Sequence, residues 1–383
     1  MEKLYSLLPD FLQAFYENRF LAFPLLIKVA YIGIAITFFI TLTCYFIVFI
    51  RRVRQAFMNV KMKKWKADID NILTNSIIGF NSEEYQEDDI HRITDNLKKL
   101  PMHKAVVRQL IIDELMFLHK NFSGKVNTLI STIYTWLELE KHSKRKLRSW
   151  RWHIKAAGIE ELSELGIESV AGQILKYVNS KNITLRMQAQ SGYLQLSKTD
   201  PFVFLDYADQ NLLPWHQINL MDVLNRRKDI PLPLFSKWFT SKNDSVVIFC
   251  IRLMVRFHQM ESVKELLKLI KHPNQEVRKE MIIAIGELTL VDSERHLTIH
   301  FLNEDTPCRL EIIKAVGKIA SGDELDFLGR LVFSPDFEMR FEAAKAIQKH
   351  GDVGEPILYK LLETVPDENK SVVLHMLDKR LSA

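Results

Sequence analysis

The densest chemistry in the sequence lies in KHSKRKLRSWRWHIK, residues 141–155. Here Lys141, Lys144, Arg145, Lys146, Arg148, Arg151 and Lys155 stand with Trp150 and Trp152 and without a carboxylate. Cations interleaved with indoles can grip phosphates, lie against anionic lipid headgroups or meet an acidic protein surface. The simpler reading is one amphipathic helix, with Leu147, Trp150, Ile154 and Ala157 as its apolar stripe and the cations as its solvated back. Nucleic acid is set aside because no RNA-binding motif accompanies the cluster.

A second basic feature recurs along the chain. Arg252 and Arg256, Lys314 and Lys318, and Lys345 and Lys349 are i, i+4 pairs at equivalent positions, interrupted by Ile283 and Glu287. Such pairs share one helix face. They suit an acidic helix or loop, although solvated lysines on a helix back look the same.

Other chemistry-bearing residues point to structure. His296 and His300 have the four-residue spacing of two metal ligands on a helix, but HLTIH lacks the glutamate of the HExxH motif and has no assignable third ligand. Asp206 with Asp209, and Glu160 with Glu161 and Glu164, sit in amphipathic patterns that give no sign of a cleft. Cys44, Cys250 and Cys308 are far apart and form no CxxC pair, which argues against a disulfide framework or thiolate zinc site and suits a reducing compartment. The 13 glycines form neither GxGxxG nor GxxxxGK[ST], so nucleotide chemistry has no support. No cofactor, metal or small-molecule substrate is expected.

What must position these residues is helical. With 383 residues, 47% of them hydrophobic and 26% charged, the chain has the composition of an ordered protein of two or three domains. Val29–Ile50 are 22 consecutive residues without a formal charge. As a helix they reach ~33 Å, about the thickness of a bilayer core. A cleaved signal peptide would have a shorter apolar core and a small-residue cleavage site. Arg51, Arg52, Arg54, Lys61, Lys63, Lys64 and Lys66 follow the span, against Lys3, Arg19 and Lys28 before it. Because Lys and Arg are retained on the cytoplasmic side, the N-terminus is expected outside and the bulk of the chain inside the plasma (inner) membrane.

Beyond the span a period of 31 residues emerges. Asn243, Asn274, Asp305, Asp336 and Asp367 repeat at that spacing as candidate helix N-caps. Behind them run columns at the same period: Val246, Val277, Cys308 and Met339; Cys250, Met281, Ile312 and Ala343; Leu253, Ala284, Ala315 and Ala346; Met254, Ile285, Val316 and Ile347. Within one unit these fall at i, i+4, i+7 and i+8, a single buried stripe. A preceding helix keeps register in Leu266, Leu297, Leu328 and Tyr359, and Pro273, Pro335 and Pro366 stand just before three caps. In the last unit Lys370 and Asp378 replace apolar residues while Leu374, Leu377 and Leu381 are expected to face inward, the pattern of a terminal cap.

The segments NQEVRKEMIIAIGEL, DTPCRLEIIKAVGKIA and DFEMRFEAAKAIQKHG, with Arg278, Arg309 and Arg340, resemble the HEAT-repeat family, as does the weaker NITLRMQAQSGYLQL with Arg186. The resemblance implies an α-solenoid of about eight helix pairs whose second helices line a concave, here partly basic, groove. LRSWRWHIKAAGIEEL after a membrane anchor is also similar to bacterial single-span membrane-anchored HEAT-repeat proteins. That likeness implies a membrane glycosyltransferase of surface-polysaccharide synthesis as a protein partner.

The expectation is thus an all-α chain. It has an N-terminal extracytoplasmic segment (1–28), a transmembrane helix (29–50), a basic juxtamembrane and helical region (51–123) with an acidic connection SEEYQEDD at 82–89, and a HEAT-like solenoid (124–383). Its expected role is a non-enzymatic scaffold or regulatory subunit for a membrane-associated protein. The alternatives are an adaptor for anionic lipid headgroups and a HEAT-like enzyme of the lyase or glycosylase type.

Overall fold

The computed structural model describes residues 24–78, 87–227 and 230–378. The expectations for residues 1–23, for 82–86 of the acidic connection and for Leu381 lie outside the described residues. The described residues form helices joined by turns and short connections, without a strand, and the chain divides into two compact units, Met1–Leu137 and Glu138–Ala383.

The first unit begins with α1 (Leu25–Ile78), a single helix of 54 residues. Every apolar side chain from Leu25 to Ile50 is exposed, and the helix is long and apolar enough to cross a membrane. The threonines of the apolar stretch are satisfied within the helix: the hydroxyls of Thr37, Thr41 and Thr43 donate to the carbonyls of Gly33, Thr37 and Phe39 at 2.7–3.0 Å. The distal end changes character, burying Ile69 and Leu73 where α1 meets α2 (Glu87–Lys98) and α3 (Ala105–Asn121). The fourth helix, α4 (Lys125–Trp136), packs on α2 and α3 through Leu129, Ile130 and Ile133. It therefore belongs to this unit, although the periodic reading begins its array at residue 124.

The second unit opens with α5 (Leu139–Leu147) and α6 (Trp152–Glu164), then a short α7 (Ala171–Ile174), α8 (Ile183–Leu196), a short α9 (Phe204–Tyr207) and α10 (Pro214–Arg226). It continues with α11 (Asp244–Arg256), α12 (Val263–Lys268), α13 (Gln275–Glu287), α14 (Val291–His300), α15 (Thr306–Ile319), α16 (Leu325–Leu331), α17 (Phe337–Lys349), α18 (Gly354–Thr364) and α19 (Asp367–Leu377). The periodic helices pack in chain order, α11 on α13, α13 on α15, α15 on α17 and α17 on α19, and one apolar core runs from Leu147 to Met376.

Caps set this spacing. The side chains of Asn243, Asn274, Asp305 and Asp336 accept backbone N–H bonds from the first turn of their helices, and Asn182 does so for α8. All four columns behind them are buried. Each aliphatic side chain taken from water contributes roughly 1.5–3 kcal/mol.

The last unit departs from the expectation. Asp367 is the first residue of α19, ion-paired to Lys370 at 2.7 Å, and Pro366 occupies the cap position. Tyr359 and Leu374 are exposed, while Leu358, Asn369, Val373 and Met376 are buried. One cause explains these departures: this unit repeats after 30 residues, Asp336 to Pro366 and Leu328 to Leu358. Counted from Pro366, the inward positions fall on Asn369, Val373, Met376 and Leu377, so Lys370 and Asp378 are not in the columns.

Candidate functional site

The basic segment 141–155 is a helix hairpin, not one helix. The α5 helix ends at Leu147 and α6 starts at Trp152; between them Arg148 and Ser149 close a turn on the carbonyls of Arg145 and Lys146, and Ser149 Oγ accepts the N–H of Arg151 at 3.2 Å. The expected continuous stripe is therefore broken. Leu147 is buried, whereas Trp150 is 85% exposed and Trp152 45%. Gly158 lets the two helices approach closely, since a Cβ there would stand 2.8 Å from Lys146 Cβ.

This hairpin sorts the seven cations. Lys146 turns inward to pair with the buried Glu161, which also accepts from Ser143 Oγ at 2.7 Å. Lys141 pairs with Glu138 at 2.6 Å and Lys144 with Glu140 at 3.1 Å. The Lys155 ammonium lies 4.8 Å from the Tyr177 ring centre. Arg151 stacks on Trp150 at 5.1 Å. Arg145 and Arg148 are exposed and meet no carboxylate among the described residues. The outward charge is thus concentrated at Arg145, Arg148 and Arg151, around two exposed indoles.

The i, i+4 pairs are sorted differently, because a glutamate column at the same 31-residue period, Glu280, Glu311 and Glu342, runs beside them. Arg252 forms a bidentate pair with Glu280 at 2.6 and 2.8 Å and donates to Gln217 at 2.9 Å. Lys314 meets Glu311 at 3.0 Å, Lys345 approaches Glu342 at 4.0 Å, and Lys318 pairs with Glu287 of the preceding unit. Arg256 donates to Asn225, and Lys349 is exposed. The face expected to be basic is largely neutralised by ion pairs, Arg252–Glu280 and Lys318–Glu287 between neighbouring helices and Lys314–Glu311 and Lys345–Glu342 within one helix.

The repeated arginines are also structural. Arg278 donates to the carbonyls of His272 and Pro273, and Arg340 to those of Ser334 and Pro335. Arg186 reaches Ser180, and Arg309 reaches Phe301 and Leu302. Each latches the turn before its own helix, satisfying carbonyls left without helical partners. Arg108 does the same with Met102 and His103 in the first unit, four residues after a cap position held by Lys104. The cap reading passed over it because Lys104 is not a capping side chain.

Glu304, Asp305 and Cys308 bring possible metal ligands within 4.8 Å of one another. The Arg278 guanidinium already engages both carboxylates, at 2.9 and 3.1 Å, while Asp305 caps α15. Burial pushes the Cys308 thiol well up, holding it protonated, as burial also does for Cys250. His296 and His300 lie 4.6 Å apart between ring centres, and the Nδ1–H of His300 donates to the His296 carbonyl. Burial, then the neighbouring His300, lowers the His296 pKa.

A groove of about 610 Å³ opens beside α9, lined by Asp206, Tyr207, Lys237, Trp238, Asn243 and Asp244. Asp206 is held there by the Trp238 Nε1–H at 2.7 Å and by Lys237 at 3.3 Å. Glu164 is buried against Gln195. Sequence reasoning missed exposed apolar residues at the turns: Leu302, 79% exposed, and Phe333 are one 31-residue period apart, and Phe337 follows at the start of α17. Their signal was the period itself, read at positions outside the buried columns.

No protein family and no curated protein matches the chain. Among solved structures, a crystal structure of an engineered protein from the Northeast Structural Genomics Consortium aligns with 82% of this chain and 84% of its own, at 15% identity and a TM-score of 0.33. Likeness of that size leaves function to the chain's own chemistry.

Proposed function

We propose that the protein is a membrane-anchored, non-enzymatic scaffold. In this reading α1 spans the plasma (inner) membrane with the N-terminus outside, and the second unit is a cytoplasmic HEAT-like α-solenoid that holds a protein partner. Support for the solenoid comes from helices that pack in chain order at a period of 31 residues, shortened to 30 in the last unit, each covering its neighbour's apolar face. Support for the anchor comes from the exposed apolar stretch Leu25–Ile50 and the seven cations that follow it.

The observation that carries partner binding is the exposure of Leu302 and Phe333 at the same position of successive units, with Phe337 also exposed four residues after Phe333. Exposed large apolar residues that recur in register mark an interaction surface better than scattered ones do. Tethering adds to this, since confinement at a membrane raises the effective concentration toward membrane-associated proteins without a new contact. A membrane glycosyltransferase of surface-polysaccharide synthesis is the partner class to look for first.

The test places a photo-reactive amino acid at position 333, irradiates intact membranes and identifies adducts by mass spectrometry. The expected result is one reproducible protein neighbour, lost when Leu302 and Phe337 are replaced by Asp. Recovery of no reproducible neighbour overturns the scaffold reading.

A further inference from the structure

We propose that the tip of the α5–α6 hairpin, residues 145–152, comprising the turn and the helix ends that flank it, is a second membrane contact that docks on an anionic bilayer surface, with Trp150 seated at headgroup depth and Arg145, Arg148 and Arg151 on lipid phosphates. The sorting of charges in the hairpin points there. Three carboxylates of the hairpin are taken up by its lysines, Glu138 by Lys141, Glu140 by Lys144 and Glu161 by Lys146. The charge left outward is of one sign and carried by guanidinium groups, which bind phosphate oxygens bidentately.

The aromatic content has the same direction. Trp150 and Trp152 are exposed on a turn instead of filling the wall of a groove, and Trp concentrates at membrane interfaces because its ring is apolar and its N–H polar. Arg151 over the Trp150 face keeps cation and indole together, so both reach the same depth. A protein partner would have to desolvate this single-sign cluster against a matching acidic patch; an anionic leaflet supplies that charge as a continuous surface. Nearness of such a leaflet rests on the anchor reading above.

The test uses the full chain reconstituted into liposomes that contain no other protein, with Ser149→Cys carrying an environment-sensitive fluorophore in a Cys44→Ser background. The other two cysteines are buried and do not compete. The expected result is a blue shift and quenching by nitroxide lipids in phosphatidylcholine mixed with phosphatidylglycerol, and neither in phosphatidylcholine alone. Each arginine near such a surface is worth about 1 kcal/mol, so Arg145→Glu, Arg148→Glu and Arg151→Glu together lower the docked-to-free ratio by at least roughly a hundredfold. Trp150→Ala is expected to reduce quenching without changing the thermal unfolding of the chain. An unchanged probe on anionic vesicles overturns the proposal, as does a shift that ignores the arginines. A response confined to native membranes, absent from protein-free ones, overturns it in favour of a protein surface. Flotation of the same samples reports the anchor separately, so failure of α1 to insert is distinguishable from failure of the turn to dock.

Discussion

At the scale of single residues, the second unit spends polar chemistry on its own turns and interfaces. His216 illustrates the consequence. It is buried in α10, where its Nε2–H donates to Gln190 Oε1 at 2.7 Å, and burial followed by the Arg186 charge lowers its pKa from the ordinary 6.5 to about 4. A base with a depressed folded-state pKa stays neutral in the fold while the unfolded chain takes up a proton. Its contribution to stability is therefore complete above about pH 6.5, shrinks as the pH falls, and is gone below about pH 4. That window corresponds to roughly 3 kcal/mol. Thermal unfolding measured between pH 7 and pH 4 should fall more steeply in the wild type than in His216→Gln; parallel curves would refute this account of the histidine.

At the scale of elements, close approach of neighbouring helices depends on glycine meeting alanine one unit later. A Cβ on Gly317 would lie 2.7 Å from Ala346 Cβ and 2.8 Å from its Cα, and one on Gly286 2.9 Å from Ala315 Cα. Gly329 in α16 has nothing within 4 Å of that position. The same substitution should then have opposite signs. Gly317→Ala forces α15 and α17 apart and is expected to cost about 1–3 kcal/mol. Gly329→Ala removes backbone freedom from the unfolded chain and is expected to add about 0.5–1 kcal/mol. Midpoints of urea unfolding compare the two, and a loss of stability at both positions would show that helix spacing is not what Gly317 protects.

At the scale of the whole molecule, each unit is held by its own core, and the topology proposed for them is open to chemical labelling. Cysteines introduced at Ser6 and Glu261 in a Cys44→Ser background report the two sides of α1 against a low background, because Cys250 and Cys308 are buried. A membrane-impermeant maleimide is expected to label Ser6→Cys in intact cells and Glu261→Cys only after permeabilisation. Labelling of both from outside, or of neither until the membrane is opened, would discard the single-span, N-out arrangement. Orientation is a property of the cation asymmetry around α1, so moving the charges of residues 51–66 to the other flank should reverse it.

The sequence by itself determined the helical class, the apolar stretch and the register of the buried columns. Those properties are periodic, and burying one face of a helix requires the same residue types at the same spacing wherever it occurs. The one-residue shortening of the last unit escaped that reading because Asp367 continues the Asn/Asp spacing by residue type, although Pro366 occupies the cap position. Only the tertiary structure decided which charges remain outward. Lys146 finds Glu161 fifteen positions away, Arg252 finds Glu280 twenty-eight positions away, and the turn at Trp150 lifts an indole out of an apparent apolar stripe. Neutralisation depends on distances of a few ångströms between helices, and those are fixed by packing, not by composition.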